Sequence, residues 1–232
     1  MCKACGCGDT TIVPVEIHER LLSDNDRLAE HNRAHFAEHG ILAVNLMGSP
    51  GAGKTAMLEA TARAMSAARG LAAITGDLET DRDARRLRDA GIRAEAITTG
   101  SACHLDARMI HHALHRGAAE GADTLFIENV GNLVCPAIYD LGQTVTVVAL
   151  SVTEGEDKPL KYPPMFRSAD LVLLTKIDLL PALPDYDRDA LAESLAQVMP
   201  DPRLLPVSAR TGDGIAEWVA FLEARRAAHV HV

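Results

Sequence analysis

Eight consecutive residues, Gly48-Ser49-Pro50-Gly51-Ala52-Gly53-Lys54-Thr55, restrict what this chain can fold into more than anything else in it. They match G-x-x-x-x-G-K-[ST], a pattern that has a mechanism only where a strand feeds a helix. That context is present, since the apolar run Leu42 to Met47 precedes the loop and the alanine-rich stretch Thr55 to Arg69 follows it. The glycines let backbone N–H groups turn inward around phosphates, Lys54 can reach the β and γ oxygens, and the Thr55 hydroxyl can ligate Mg²⁺. Every residue from Gly48 through Thr55 is therefore a candidate nucleotide contact.

From Ile41 onward the same alternation repeats. Apolar runs at 71–75, 94–98, 124–128, 144–151, 171–175 and 204–207 have the continuous hydrophobicity of strands buried on both faces. Helix-forming stretches at 83–90, 105–119, 189–198 and 215–227 lie between most of them. The expectation is an α/β, three-layer P-loop NTPase fold with a mostly parallel sheet over residues 41–232. Residues 14–40 carry Val15, Leu21, Leu22, Leu28 and Phe36 in an incomplete apolar stripe and reach a stop at Gly40, so they predict one helix packed on that domain. Residues 1–13 are small, polar and glycine-containing, which predicts a flexible metal-binding tail.

The formal net charge of −9 gives no broad positive field for nucleic acid or an anionic membrane surface. No apolar run is long enough to span a bilayer or to resemble a signal peptide, so the expected compartment is the cytoplasm. Three of the five cysteines, Cys2, Cys5 and Cys7, crowd into the first seven residues. In a reducing compartment that density suits thiolate metal ligands better than a disulfide framework.

The choice of base is carried by the far end of the sheet. Thr175-Lys176-Ile177-Asp178 ends an apolar strand and resembles the [NT]-K-x-D element of GTPases. A carboxylate at Asp178 can accept from the N1–H and the exocyclic amine of guanine, a pair adenine lacks, and the stem of Lys176 can cover the ring. Val207-Ser208-Ala209 resembles the S-A element whose backbone N–H contacts the guanine carbonyl. Threonine at 175 departs from the usual asparagine. Glu128-Asn129-Val130-Gly131 stands where small GTPases carry D-x-x-G; Glu128 can polarise a Mg²⁺-bound water and the Gly131 amide can meet the γ-phosphate. Asp77 is the first candidate for a further acidic group near Mg²⁺ or the attacking water, with Asp81 and Asp83 as competitors. Asn132 follows Gly131 where a glutamine could orient water, so intrinsic hydrolysis is expected to be slow.

Cys103-His104 opens a helical stretch and Cys135 follows Gly131 by four residues. Two thiolates and an imidazole suit Zn²⁺ or Ni²⁺ far better than Mg²⁺. They leave a shell that water or a second subunit must complete; the alternative is a buried cysteine and a helix-start histidine. His31, His35 and His39 share one helical face, as do His111 and His115, and either group is a metal candidate or a solvated face.

Taken together, C-x-x-C-G-C at the N-terminus, G-S-P-G-A-G-K-T, T-G-x-x-C-H-L-D-A and E-N-V-G-N-L-V-C-P resemble the HypB family, of the metal-handling branch of SIMIBI-class P-loop GTPases. The resemblance runs over essentially the whole chain. It implies a GTPase metallochaperone that couples GTP to nickel insertion into nickel-iron hydrogenase, with metal ligands at Cys103, His104 and Cys135 in a nucleotide-linked homodimer and a nickel motif at Cys2, Cys5 and Cys7. It also implies a HypA-like nickel chaperone and a hydrogenase large-subunit precursor as partners. The long histidine-rich tract of some relatives is missing, which argues against nickel storage. The alternatives are a urease-type nickel GTPase, against which the T-G-x-x-C-H and C-x-x-C-G-C elements stand, a metal-buffering protein with a nucleotide switch, and an ATP-dependent ligase, which Asp178 opposes.

Overall fold

The computed structural model describes residues 15–65, 70–100 and 102–230. Seven strands form one sheet: β1 (Leu42–Gly48), β2 (Leu71–Asp77), β3 (Arg93–Thr98), β4 (Thr124–Glu128), β5 (Val145–Ser151), β6 (Leu171–Thr175) and β7 (Leu204–Pro206). Their order is β3-β2-β4-β1-β5-β6-β7, and every neighbouring pair is parallel. β1, β4, β5 and β6 are buried along their whole length, which is why they read as unbroken apolar runs.

Helices cover both faces. α2 (Lys54–Ala64), α3 (Arg82–Asp89) and α8 (Ile215–Val230) pack on one side, where Leu42, Val44 and Leu46 of β1 meet Met57, Leu87 and Trp218. Trp218 is fully buried and its Nε1 donates to Thr61 Oγ1 at 2.8 Å, joining α8 to α2. The alternate β1 residues face the other side. Ala43 meets Phe36 of α1 (Val15–Glu38) and Ile110 of α4 (Ala107–His115). Met47 meets Phe166 of α6 (Pro163–Arg167) and Leu191 of α7 (Arg188–Val198), beside the short α5 (Lys158–Lys161). The result is the three-layer sandwich that the alternating pattern predicts.

Two helices are shorter than their composition suggests. The predicted helix at 105–119 starts at Ala107, because Asp106 Oδ1 caps it by accepting from Met109 N, and ends before Gly117, whose φ of +86° stops it. The segment predicted at 55–69 runs from Lys54 to Ala64, and 66–69 lie outside the described residues.

The incomplete apolar stripe of α1 also has an explanation. Its inner face carries buried Asn25 and Asn32 beside Ala29 and Phe36. Asn32 Nδ2 donates to the carbonyls of Ala107 and Leu141, Asn25 Nδ2 donates to Asp140 O, and Asn25 Oδ1 accepts from Ala107 N. Polar residues dock this helix because they satisfy backbone groups that would otherwise be buried unpaired.

From β1 the chain runs to β2 and β3 on one side, returns to β4, and then passes over β1 to β5, β6 and β7 on the other, so the direction of winding reverses beside β1. A crevice opens at the carboxyl ends of the strands at such a switch point, and the glycine-rich loop leaves β1 there.

Candidate nucleotide site and metal cluster

Gly48 shows why this loop must be glycine where it leaves the sheet. Its φ is +149°, and a Cβ there would sit 2.4 Å from the carbonyl oxygen of Ala149. Gly53, at φ +93°, turns the chain into α2. Ser49 braces the loop by donating to Glu154 Oε2, while Glu154 Oε1 accepts from Ser151 N at the end of β5. Glu154 carried no signal in the sequence.

A cavity of about 750 Å³ lies over the loop, lined among others by Gly51, Gly53, Lys54, Thr55, Asp77 and Glu128. Gly131 lines it too, and approaches Pro50 so closely that a Cβ would lie 3.0 Å from three of its atoms. Lys54 is buried, and its Nζ donates to the carbonyls of Gly48 and Ser49 at 3.1 Å each. Burial lowers its pKa, opposed by the charge of Glu128. An ammonium held in so dry a place is an intense local charge for a phosphate oxygen.

Glu128 is 4% exposed and its Oε1 accepts from Thr55 Oγ1 at 2.7 Å. Its Oε2 is buried with no partner among the described residues. Burial, only partly offset by the Thr55 bond and Lys54, raises its pKa to about 7. A hydroxyl beside a carboxylate with one orphaned oxygen fits a hard divalent cation such as Mg²⁺, with oxygen donors on one side and room for phosphate and water on the other.

A linkage prediction follows. In the folded chain without nucleotide or divalent cation, Glu128 stays protonated up to about pH 7, whereas in the unfolded chain it ionises near its ordinary value of 4.5. The stability gained by keeping it neutral is therefore complete below pH 4.5 and falls away as pH rises through 7, by on the order of 3 kcal/mol. Glu128→Gln should raise the melting temperature in EDTA at pH 8 and leave it nearly unchanged at pH 4.5. An equal shift at both pH values would show that Glu128 is not held neutral.

Of the three aspartates in competition, Asp77 and Asp83 line the phosphate cavity, whereas the carboxylate of Asp81 pairs with Arg85. Asp77 Oδ1 accepts from the backbone N–H groups of Glu79 and Thr80, and these bonds lower its pKa. That oxygen holds the turn after β2, so an ionised group is kept at the cavity wall.

A second cavity, about 330 Å³, lies beyond Gly53 and is lined by Thr175, Lys176, Asp178 and Ala209. Asp178 Oδ1 accepts from Ser208 Oγ at 2.7 Å, which fixes the plane of the carboxylate. Lys176 has φ +61° and is the one described non-glycine residue in the left-handed region. Strain of about 1–3 kcal/mol at a lysine marks a backbone shaped for a ligand. Thr175 Oγ1 donates to Ala52 O at 2.6 Å, so the threonine that replaces asparagine ties the base loop to the phosphate loop.

Cys103, His104 and Cys135 come together although 32 residues separate the two thiols. The sulfurs are 2.9 Å apart, and the ligand atoms of all three residues lie within 4.8 Å of one another. His104 stacks on Tyr139 with ring centroids 3.9 Å apart, and its buried Nδ1 has no partner among the described residues. Burial lowers the pKa of His104, which favours the neutral, metal-ligating imidazole. Contact with Cys103, then burial, pushes the Cys135 thiol up.

One residue that sequence reasoning passed over links the two sites. Asn129 follows Glu128 and is buried; its Oδ1 accepts from Leu105 N at 3.1 Å and from Val130 N at 3.0 Å, while Nδ2 donates to Asn45 Oδ1 in β1. Leu105 directly follows Cys103-His104. Cys2, Cys5 and Cys7 lie outside the described residues.

Fold and site define a P-loop nucleotide-binding domain with a thiol–imidazole cluster one loop away from its acidic strand end. Residues 42–205 match the sequence model of the CobW/HypB/UreG nucleotide-binding domain. The chain belongs to that family and, within it, to the HypB hydrogenase maturation factors. The hydrogenase maturation factor HypB of Azotobacter vinelandii is 51% identical over 212 residues, covering 91% of this chain and 70% of that protein. The crystal structure of HypB from Helicobacter pylori in complex with nickel superposes with a TM-score of 0.83 at 38% identity, over 89% of this chain and 97% of that one. HypB from Archaeoglobus fulgidus gives a TM-score of 0.81 at 41% identity, over 88% and 100% of the two chains. No described helix is long and apolar enough to cross a membrane.

Proposed function

We propose that the protein hydrolyses GTP slowly and uses the nucleotide cycle to control custody of nickel on its way into a nickel-iron hydrogenase. The observation that carries this is the Asn129 side chain, which bonds at once to the strand end that meets the phosphates and to the loop that presents Cys103 and His104. The names of its relatives support the purpose: hydrogenase maturation factors, one of them crystallised with nickel.

Each residue has a role in this account. The Gly48–Thr55 amides and Lys54 hold the β and γ phosphates, and the Gly131 amide meets the γ-phosphate. Thr55 and Glu128, with Asp77 at the wall, would hold Mg²⁺ and its water. When bound, Mg²⁺ would neutralise charge on the phosphate oxygens. Asp178, backed by Ser208, accepts from guanine, Lys176 covers the ring and the Ala209 amide meets its carbonyl. Cys103, His104 and Cys135 hold Ni²⁺ or Zn²⁺, and a second copy of the chain completes the shell across a two-fold interface. Val134 and Ile138, which flank Cys135 and are 53% and 46% exposed, suit such an interface. Cys2, Cys5 and Cys7 form a separate nickel site. The cycle runs in the cytoplasm, with a HypA-like chaperone supplying nickel and a hydrogenase large-subunit precursor receiving it.

Competition binding tests the choice of base. Wild-type protein should prefer GTP to ATP by about 100-fold or more, since a buried acceptor left unpaired by adenine is costly. Asp178→Asn should weaken GTP by on the order of 10- to 100-fold and leave ATP nearly unchanged. Equal affinity of the wild type for both nucleotides contradicts the GTPase assignment.

A further inference from the structure

Histidines that are 70 or more residues apart in sequence meet where α1 packs on α4. A cleft of about 390 Å³ between the helix ends is lined by His35 of α1, His39 just beyond its end, His115 of α4, and Glu120. His115 Nε2 lies 3.0 Å from His111 Nε2, one turn earlier on the same helix. The rings of His35 and His39 have centroids 4.2 Å apart, and His31 reaches His111 from α1 with centroids 6.3 Å apart.

From these positions we infer that His35 of α1 and His39 just beyond its end, with His111 and His115 of α4, form a second binding site for a divalent transition metal, separate from the Cys103–His104–Cys135 cluster. Metal–imidazole bonds of about 2.0–2.1 Å place two ligands about 2.9 Å apart at a right angle and about 3.4 Å apart at a tetrahedral one. His111 and His115 share a hydrogen bond between their Nε2 atoms at 3.0 Å, a separation that two adjacent ligands of a square-planar or octahedral ion such as Ni²⁺ can also span once that proton is displaced. His39 Nδ1 lies 2.9 Å from the His35 carbonyl oxygen, so it carries the proton and leaves Nε2 as the ligating atom. Backbone bonds of this kind orient ligating histidines in metal sites. Burial, then the neighbouring His39, lowers the pKa of His35, while Glu38 opposes the shift and His115 and His111 add to it. No three of these imidazoles converge in the structure as Cys103, His104 and Cys135 do, so an ion would gather them through rotamer changes of surface side chains. The Glu120 carboxylate on the cleft wall can supply an oxygen or offset the added charge.

This site does not depend on the proposed nucleotide cycle, and its test removes the sulfur ligands. In the full chain, Cys2, Cys5, Cys7, Cys103 and Cys135 are all changed to serine, which leaves no thiol. Equilibrium dialysis against Ni²⁺ should still load about one equivalent, with a spectrum lacking thiolate charge-transfer bands. In that background His111→Gln with His115→Gln, and separately His35→Gln with His39→Gln, should each weaken binding by about tenfold or more. GTP affinity should stay unchanged in both, which checks that the fold is intact. Failure of the thiol-free, GTP-binding chain to take up Ni²⁺ overturns the site. So does unchanged affinity in either double variant, since the site needs both helices.

Discussion

Lys54→Ala should lower the rate of GTP hydrolysis by about 100- to 1000-fold, the effect of removing one preorganised charge from a transferring phosphoryl group. The size follows from where the ammonium sits. Lys54 is buried, its pKa is lowered by burial, and it is held by two loop carbonyls that also fix its direction. Water cannot replace it cheaply, and no other described lysine or arginine emerges from the loop itself; Arg86, which also lines the cavity, is engaged by Glu59. The fold should tolerate the change, because the space vacated by the side chain opens onto the cavity that Lys54 itself lines. Single-turnover hydrolysis with the melting temperature on the same sample separates the two effects. A rate within threefold of wild type would mean that Lys54 does not meet the transferred phosphate.

The sheet was the most legible part of the sequence. Strands buried on both faces must be continuously apolar, and the runs from Leu42, Thr124 and Leu171 left little choice. Helix ends were less legible, since Asp106 and Gly117 outweigh the helix propensity of the residues beyond them. The phosphate loop, Glu128 and the T-K-x-D segment are local patterns at strand ends, so these lining residues of the two cavities could be named in advance, whereas Arg86, Glu59 and Arg210 could not. Asn25, Asn32 and Asn129 could not. A buried asparagine looks like a surface one until its backbone partner, 24 to 115 residues away here, is known. The histidines around the end of α1 and those of α4 could be named as two separate groups, but that the groups meet was hidden for the same reason. The aspartates at 77, 81 and 83 could be ranked only once α3 was seen to turn Asp81 towards Arg85.

The second large effect concerns the link between nucleotide and metal. In the proposed cycle, engagement of the γ-phosphate by Gly131 would order the segment that carries Cys135 four residues later, and Asn129 would transmit the position of that strand end to Cys103 and His104 through Leu105. Coupling of this kind typically changes affinity by about 5- to 150-fold, and it must be reciprocal, so metal tightens GTP by the same factor. Asn129→Ala should shrink the factor several-fold. It should also lower stability by roughly 1–3 kcal/mol, because the N–H groups of Leu105 and Val130 lose their acceptor.

The most direct test measures Ni²⁺ affinity in the full chain with Cys2, Cys5 and Cys7 changed to alanine, once with GDP and once with a non-hydrolysable GTP analogue. Thiolate-to-nickel absorption then reports only Cys103 and Cys135. The account predicts binding about 5- to 150-fold tighter with the GTP analogue. Identical affinities in the two nucleotide states, or a Cys135→Ala variant that keeps the full difference, would contradict it.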